Sequence, residues 1–296
     1  MRQNLADRYR ANPPQPGEWP WIVVHSHGVT DGSQQGGCGG TLVGDSWVVT
    51  AAHCFYEGST QTVTADSMSV VIGEHTIVTA EGSNTISDSD QYDTKRQGCS
   101  ILRYINFYYQ LRTNLEIETM IIHENYTPGA NTNDIALLKL KKKLDLGTHM
   151  PACLPAQGKD FVGQEGWVYG WGTQFFGAAD ISHILRETSQ TIITNADCAK
   201  GAGKINETVN GQITANLIDV SMEGLVEDNM LCGLKSGTDS CQGDSGGPFT
   251  VEEQGEHTLA GVVSWGLGCA AVWLSAFFSF FLYYHMEHSI IDFLTI

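Results

Sequence analysis

Three short motifs place a histidine, an aspartate and a serine where they could carry out nucleophilic catalysis. His53 lies in TAAHC, Asp134 lies in NDIALL, and Ser245 lies in the glycine-rich turn GDSGGP. A serine hydroxyl is a weak nucleophile, and it needs an imidazole within ~2.6 to 3.2 Å to take its proton. We expect His53 to be that base, and Asp134 to orient the ring and stabilise the imidazolium that forms. Taken alone, each residue also has a structural interpretation, as a buried histidine, a cap or a turn residue.

The order of the three motifs resembles that of the chymotrypsin-like serine proteases, trypsin branch, over residues 16 to about 270. The resemblance implies an all-β fold of two six-stranded antiparallel Greek-key barrels. It implies a serine endopeptidase that works through an acyl-enzyme, with the backbone N–H groups of Gly243 and Ser245 as the oxyanion hole. It further implies a monomer that acts on proteins or peptides and is bound by protease inhibitors.

The same resemblance predicts the substrate pocket. The family places the base of its primary pocket six residues before the nucleophile, which is Asp239 here. A carboxylate there would pair with the guanidinium or ammonium group of a substrate Arg or Lys. Ser264, Trp265 and Gly266 would form a pocket wall and pair with the substrate backbone as an added strand. We therefore expect cleavage after Arg and Lys, and a solvated loop carboxylate is the alternative for Asp239.

The elements that must position these residues are predicted to be β-strands. Short β-branched or aromatic runs alternate with glycine-rich turns, and the sequence has no strand–helix–strand alternation. The pattern favours an all-β barrel or sandwich. The predicted strands are residues 21–27, 40–43, 47–50, 68–72, 135–140, 167–171 and 258–265.

Composition narrows the class of protein. A chain of 296 residues, 42% hydrophobic and 17% charged, can bury a sizeable core and is not typical of disorder or a coiled coil. The net charge of −17 disfavours a nucleic acid surface and favours cationic partners. The polar residues 1–10 contain no apolar signal-peptide core, so we expect the extracellular location of the family without a leader in this sequence.

The eight cysteines are an even number. The resemblance implies three disulfides, Cys38–Cys54, Cys198–Cys232 and Cys241–Cys269. Cys99 and Cys153 remain, and the sequence leaves open whether they pair, stay free or bond another chain. No CxxC pair or histidine cluster predicts zinc.

A fainter resemblance concerns calcium. Glu74 and Glu81 resemble the acids of the trypsin loop that binds Ca²⁺ through carboxylates and carbonyls. Asn84 stands where that loop usually supplies another acid. We expect no cofactor to be required, with calcium as a structural candidate only.

Three segments depart from the family pattern. The family is activated by a freed Ile-Val-Gly-Gly type terminus whose ammonium pairs with the aspartate before the nucleophile, here Asp244, but residues 8–11 read RYRA. Residues 98–113 form an aromatic insertion, and no Pro-Gly turn follows Cys269. We therefore expect a non-family segment at 1–15, a protease domain at 16–270 and an apolar non-family tail at 271–296. The end of the second barrel and the closing helix are expected to be missing.

These departures leave two alternative functions. The first is a catalytically inactive homologue or defective isoform that acts at most as a binding protein, because Asp244 has no partner and an unpaired buried carboxylate is costly. The second is a membrane-tethered protease, which rests on the apolar residues 270–284. That run is shorter than the ~20 residues that a membrane-spanning helix needs, so we expect no membrane anchor.

Overall fold

The computed structural model describes residues 12–27, 35–77, 91–93, 96–99, 109–174, 177–178, 180–200, 207–209, 212–214, 222–235, 238–266, 269 and 276–280. Within these ranges the regular structure is almost entirely β. It contains one α-helix, α1 (Asn195–Ala199), and two 3₁₀ turns, Ala52–Phe55 and Ala65–Ser67. None of the helices in this part of the chain is long and apolar enough to cross a bilayer.

The strands follow one another along the whole described chain, and the seven predicted strands are confirmed. In chain order they are β1 (Ile22–His27), β2 (Gln35–Val43), β3 (Trp47–Thr50), β4 (Tyr56–Glu57), β5 (Thr60–Gln61), β6 (Met68–Ile72), β7 (Gln91–Asp93), β8 (Tyr109–Leu111), β9 (Thr113–Leu115), β10 (Ile117–Ile122), β11 (Ala136–Leu140), β12 (Glu165–Gly170), β13 (Arg186–Ile193), β14 (Glu207–Val209), β15 (Gln212–Thr214), β16 (Met230–Leu234), β17 (Pro248–Glu253), β18 (Glu256–Gly266) and β19 (Ala276–Phe280).

The first half of the molecule is an antiparallel seven-stranded sheet in the order β10-β11-β3-β2-β1-β6-β9. Strands β3 and β11 are nearly continuous apolar runs, and all four residues of β3 are buried. Glu116 alone separates β9 from β10, so one almost unbroken run pairs with β6 at one edge and with β11 at the other. The sheet therefore curls on itself. If β9 and β10 are counted as one interrupted strand, its seven strands correspond to the six that the resemblance implies.

The second half is a closed antiparallel barrel in the order β12-β13-β16-β19-β18-β17. Its interior is a cluster of fully buried apolar side chains. This cluster includes Phe161, Val168, Ile192, Leu231, Phe249, Val251 and Val263. The all-β architecture of two curled sheets is thus confirmed.

The structure differs from the sequence-based expectation at the end of this barrel. The end of the second barrel was expected to be missing, but the segment AFFSF of the apolar tail forms β19, where Ser279 is opposite Met230 of β16 and Val262 of β18. Aromatic residues favour strands, and β16 and β18 would otherwise each present an edge without a neighbour. The tail therefore completes the barrel. The closing helix was expected to be missing, and because residues 281–296 lie outside the described residues, that expectation stays a prediction.

Aromatic side chains join the two halves. Trp19, just before β1, stacks on Tyr169 of β12 with ring centroids 3.8 Å apart. The indole Nε1 of Trp21 donates a hydrogen bond to the Tyr169 hydroxyl at 2.5 Å. One buried cluster contains these residues together with Leu42 and Leu137 of the first sheet. The two halves consequently share a core.

The pairing of β19 on both sides makes its backbone sensitive to proline. We expect Ser279→Pro to lower the free energy of unfolding by about 1 to 3 kcal/mol, because a ladder N–H is lost and a buried carbonyl is left without a partner. Urea denaturation measures the difference. Ser279→Ala is the control, since it keeps the N–H. Equal stability of the two variants would show that β19 is not part of the barrel.

Candidate active site

His53 and Asp134 meet because two neighbouring strands deliver them to the same place. His53 lies in the 3₁₀ turn Ala52–Phe55 beyond the end of β3, and Asp134 precedes β11 by two residues. Strands β3 and β11 are antiparallel partners, with Thr50 opposite Ala136. The end of β3 therefore lies beside the start of β11, and two residues 81 positions apart come into contact.

The Asp134 carboxylate accepts three hydrogen bonds although it is only 3% exposed. Its Oδ2 accepts from His53 Nδ1 at 2.7 Å and from Ser264 Oγ at 2.5 Å, and its Oδ1 accepts from the His53 backbone N–H at 2.8 Å. Burial by itself raises the pKa of Asp134, but the hydrogen bonds and charge of His53, with the Ser264 hydroxyl, outweigh burial and lower it. With the proton on Nδ1, His53 keeps Nε2 as an acceptor.

Ser245 lies in a tight turn that packs directly against the end of β3. Gly246 has a φ of 75°, and a Cβ on it would stand 2.3 Å from Thr50 Oγ1, so only glycine allows this approach. The N–H of Gly39 donates to the Ser245 carbonyl at 2.7 Å. Between the described residues Ser245 and His53 the structure has no side-chain hydrogen bond. The turn is therefore brought to the His53 segment, and the nucleophile–base hydrogen bond stays a prediction.

Two backbone amides of this turn are available to a ligand. Gly243 adopts a φ of 96°, which a residue with a Cβ rarely takes. Within the described part of the chain, the N–H groups of Gly243 and Ser245 donate to no protein acceptor. They are suited to the oxyanion hole that the sequence predicts.

Asp244 lies half-buried in the same turn, without a cationic partner among the described residues. Its carboxylate accepts the backbone N–H groups of Gly172 and Cys241, each at 2.8 Å. Burial raises the pKa of Asp244 to about 6, and these two hydrogen bonds only partly oppose that effect. The residue borders a solvent-open pocket.

Asp239 lines the same pocket as Asp244. Its Oδ1 accepts hydrogen bonds from Gln190 Nε2 at 2.9 Å and from the Ser240 backbone N–H at 2.8 Å. Gln190 is buried, whereas Asp239 is partly exposed. Two neutral donors therefore orient the carboxylate, which borders the open pocket.

The three residues predicted to bind substrate occupy the end of β18. Ser264 donates to Asp134, which the sequence reasoning missed by assigning this residue only to a pocket wall. Trp265 packs against the cluster of Cys198, Met222 and Cys232. The β17–β18 ladder ends at Val262, so residues 264–266 extend beyond β17. The alternation of side chains along a strand could have indicated this role, because it places Ser264 and Trp265 on opposite faces and so predicts different contacts for them.

The three disulfides implied by the resemblance are present in the structure: Cys38–Cys54, Cys198–Cys232 and Cys241–Cys269. The first links the His53 turn to β2, and the third ties the Ser245 turn to the segment after β18. His25 lies close enough to Cys38 and Cys54 to suggest a metal cluster. Both sulfurs are committed to the disulfide, so we assign no metal there.

The calcium candidate rests on one described residue. Glu74 Oε2 pairs with Arg112 Nε at 2.8 Å, so a guanidinium already supplies positive charge at this carboxylate. Glu81 lies outside the described residues. The calcium site stays a prediction, and no chemical step below uses it.

Comparison with known proteins gives one family. The trypsin family model matches residues 9–98 and 106–282, so the match continues through β19 and omits part of the insertion. Vitamin K-dependent protein C of Mus musculus is 32% identical over 264 residues, which cover 86% of this chain and 45% of that protein. Coagulation factor XI of Bos taurus is 29% identical over 258 residues, covering 86% and 32%. Coagulation factor IX of Cavia porcellus is 29% identical over 264 residues, covering 86% and 71%. The chain thus spans less than half the length of the first two relatives.

We expect the Ser264 hydroxyl, through its hydrogen bond to Asp134, to affect how the free energy of unfolding changes as the pH is lowered. Because the folded pKa of Asp134 lies below its unfolded value, the ionised carboxylate stabilises the fold above the unfolded pKa of ~3.9, and this contribution is lost as pH falls through the folded pKa. We expect Ser264→Ala to lower the free energy of unfolding by about 1.5 to 3 kcal/mol at neutral pH. The difference from wild type should disappear on acidification.

Urea denaturation across pH measures this effect. Ser46→Ala is the matched control, since Ser46 Oγ donates to Asp45 in a more exposed setting. A Ser264→Ala deficit that is the same at every pH would contradict an effect through the Asp134 charge.

Proposed function

This chain belongs to the trypsin family of serine proteases, and on that premise we propose that it hydrolyses peptide bonds after Arg or Lys through an acyl-enzyme on Ser245. The observation that carries the proposal is the hydrogen-bonded pair of the partly exposed His53 and the buried Asp134, with the Ser245 turn packed against the same strand end. The chain spans only part of several relatives, so the proposal concerns this domain.

Catalysis would begin with proton transfer from Ser245 Oγ to His53 Nε2 as the serine oxygen attacks the substrate carbonyl carbon. Asp134 stays ionised throughout, because its lowered pKa favours the carboxylate, and it stabilises the imidazolium. The negative oxygen of the tetrahedral intermediate would bind the N–H groups of Gly243 and Ser245, which have no protein acceptor among the described residues.

Collapse of the intermediate would release the first product. His53 donates its new proton to the leaving amine, and the substrate acyl group remains as an ester on Ser245. Water then attacks this ester with His53 again as base, and the acid product leaves. In each step a single proton is transferred between His53 and one of the reacting atoms.

Specificity would come from Asp239. Its Oδ1 accepts from the neutral amide of Gln190 and from a backbone N–H, and an Arg or Lys group entering the pocket would form a charge-assisted pair with this carboxylate. The substrate backbone would add along residues 264–266, beyond the end of the β17 ladder. The net charge of −17 would further favour cationic substrates.

Asp244 supports an inactive form of the same domain as a second candidate. Its half-buried carboxylate has two N–H donors and no cationic group among the described residues. Ionising it there is unfavourable, so a cation that reached Asp244 would stabilise the turn that carries the Gly243 and Ser245 amides. We propose that the chain as written is essentially inactive and that an ammonium group reaching Asp244 is the missing element.

The location of the protein follows from its disulfides and relatives. Three disulfides persist in oxidising compartments and are rare in the reducing cytosol. We propose an extracellular protease that acts as a monomer on protein substrates and is bound by protease inhibitors.

A fluorophosphonate, which labels only an activated serine, tests the proposed chemistry. Residues 1–296 should label poorly, whereas a form that begins with Ile-Val-Gly-Gly in place of residues 8–11 should label at Ser245 and cleave Arg and Lys substrates. Loss of one oxyanion donor alone slows the reaction ~10²- to 10³-fold, which sets the expected difference. Mass spectrometry locates the label.

Two variants of the Ile-Val-Gly-Gly form are the controls for this experiment. His53→Ala should abolish labelling, and Asp239→Ser should reduce the preference for Arg and Lys by about 10²-fold or more. Cleavage after Phe or Leu would overturn the pocket assignment. Full labelling of the unmodified chain would show that the Asp244 partner is not required.

The raised pKa of Asp244 predicts a distinct pH dependence. The folded pKa of about 6 exceeds the unfolded value of ~3.9, so the protonated carboxyl stabilises the fold at low pH and this stability is lost between about pH 4 and about pH 6. Relative to Asp244→Asn, wild type should lose about 3 kcal/mol over that range. Urea denaturation at several pH values provides the measurement, and Asp228→Asn at an exposed position is the control. A parallel pH dependence of wild type and Asp244→Asn would refute the assignment.

A further inference from the structure

The two segments that carry the remaining cysteines, Cys99 and Cys153, meet the start of β18 at the junction of the two halves. The N–H of Cys99 donates to the Pro151 carbonyl at 2.9 Å, and the N–H of Cys153 donates to the His257 carbonyl at 2.9 Å. The N–H of His257 in turn donates to the Gln97 carbonyl at 2.8 Å. Backbone hydrogen bonds therefore align the segment of Cys99, the segment of Cys153 and the start of β18.

The segment before Cys99 is fixed by Arg96. The guanidinium lies over the rings of Trp19 and Trp167, at 4.1 and 4.6 Å from their centroids, and its Nε pairs with Glu18 Oε1 at 3.0 Å. Gly98 is also packed tightly, since a Cβ on it would stand 2.0 Å from the Pro151 carbonyl oxygen. The position of Cys99 is thus set by the body of the fold.

The two thiols are in contact. Cys99 is partly exposed, Cys153 is buried, and their side chains are hydrogen-bonded to each other. That hydrogen bond lowers the pKa of Cys99, while burial and Glu256 oppose the change. The same contact, together with burial, raises the pKa of Cys153, whose Sγ also donates to Glu256 Oε2 at 3.7 Å.

We propose that Cys99 and Cys153 form a fourth disulfide, made by exchange with a disulfide donor such as oxidised glutathione. The Cys99 thiolate attacks one sulfur of the donor, which forms a mixed disulfide and releases one donor thiolate. Cys153 passes its proton to Glu256 and attacks the Cys99 sulfur, which releases the second donor thiolate. Two protein thiols are oxidised to one disulfide, and the donor is reduced to two thiols.

The roles of the two cysteines follow from their surroundings. The attacking thiol must be accessible and partly ionised, which suits Cys99, and the resolving thiol needs a nearby base, which Glu256 provides for Cys153. The bond would fasten the start of the insertion at residues 98–113 to the shared core. It would also leave neither thiol to bond another chain.

A peptide map without reduction tests the proposal. The full chain is treated with oxidised glutathione, denatured in iodoacetamide and digested, and mass spectrometry identifies linked and alkylated cysteines. We expect a Cys99–Cys153 linked peptide and no alkylation at either residue. Alkylation of both, a glutathione adduct that persists on Cys99, or a bond from Cys153 to a second polypeptide would each overturn it.

Variants supply the controls and a second measurement. Cys99→Ser and Cys153→Ser should each leave one alkylated thiol, while the double variant should leave none and keep the three other disulfides. The double variant should also unfold several degrees below the oxidised wild type, because the cross-link restricts the unfolded chain. An unchanged unfolding temperature together with the linked peptide absent would exclude the fourth disulfide.

Discussion

A buried carboxylate must be surrounded by donors, and Asp134 obtains its donors from both halves of the molecule. His53 donates from the end of β3, and Ser264 donates from β18 of the second barrel. The two sheets can therefore satisfy this charge only when they are packed together. The Ser245 turn, the shared aromatic core and the open end of β18 all depend on that packing.

Two aspartates in this site, the buried Asp134 and the half-buried Asp244, have opposite electrostatic surroundings. Asp134 has three donors, one of them a histidine, and its pKa falls despite burial. Asp244 has two backbone donors, and its pKa rises to about 6. Among the described residues, Asp134 has a histidine partner, whereas Asp244 beside Ser245 has backbone donors and no cationic group. The orientation of the base His53 by Asp134 therefore does not depend on the surroundings of Asp244, which lies between the two amides of the proposed oxyanion hole.

The sequence predicted the features that follow from local residue patterns and from family motifs. It did not predict contacts between residues that are far apart in the sequence. Short β-branched and aromatic runs located seven strands, and the family resemblance implied the three disulfides that the described residues contain. The pattern could not show that the segment of Ser279 pairs with β16 and β18, since an apolar run has the same composition inside or outside a barrel. It also could not place Ser264 on Asp134 or Cys99 beside Cys153, because those contacts are set by the packing of segments far apart in sequence.

The aromatic stack between the halves has a consequence for how the chain folds. Trp19 and Trp21 directly precede the first strand of the first sheet. Trp19 nevertheless stacks on Tyr169 of the second barrel, and Trp21 donates a hydrogen bond to its hydroxyl. A fragment containing only the first sheet would expose these indoles to water and would be prone to aggregate. The molecule should consequently unfold in one cooperative transition, in which the indole fluorescence and the loss of sheet hydrogen bonds change together.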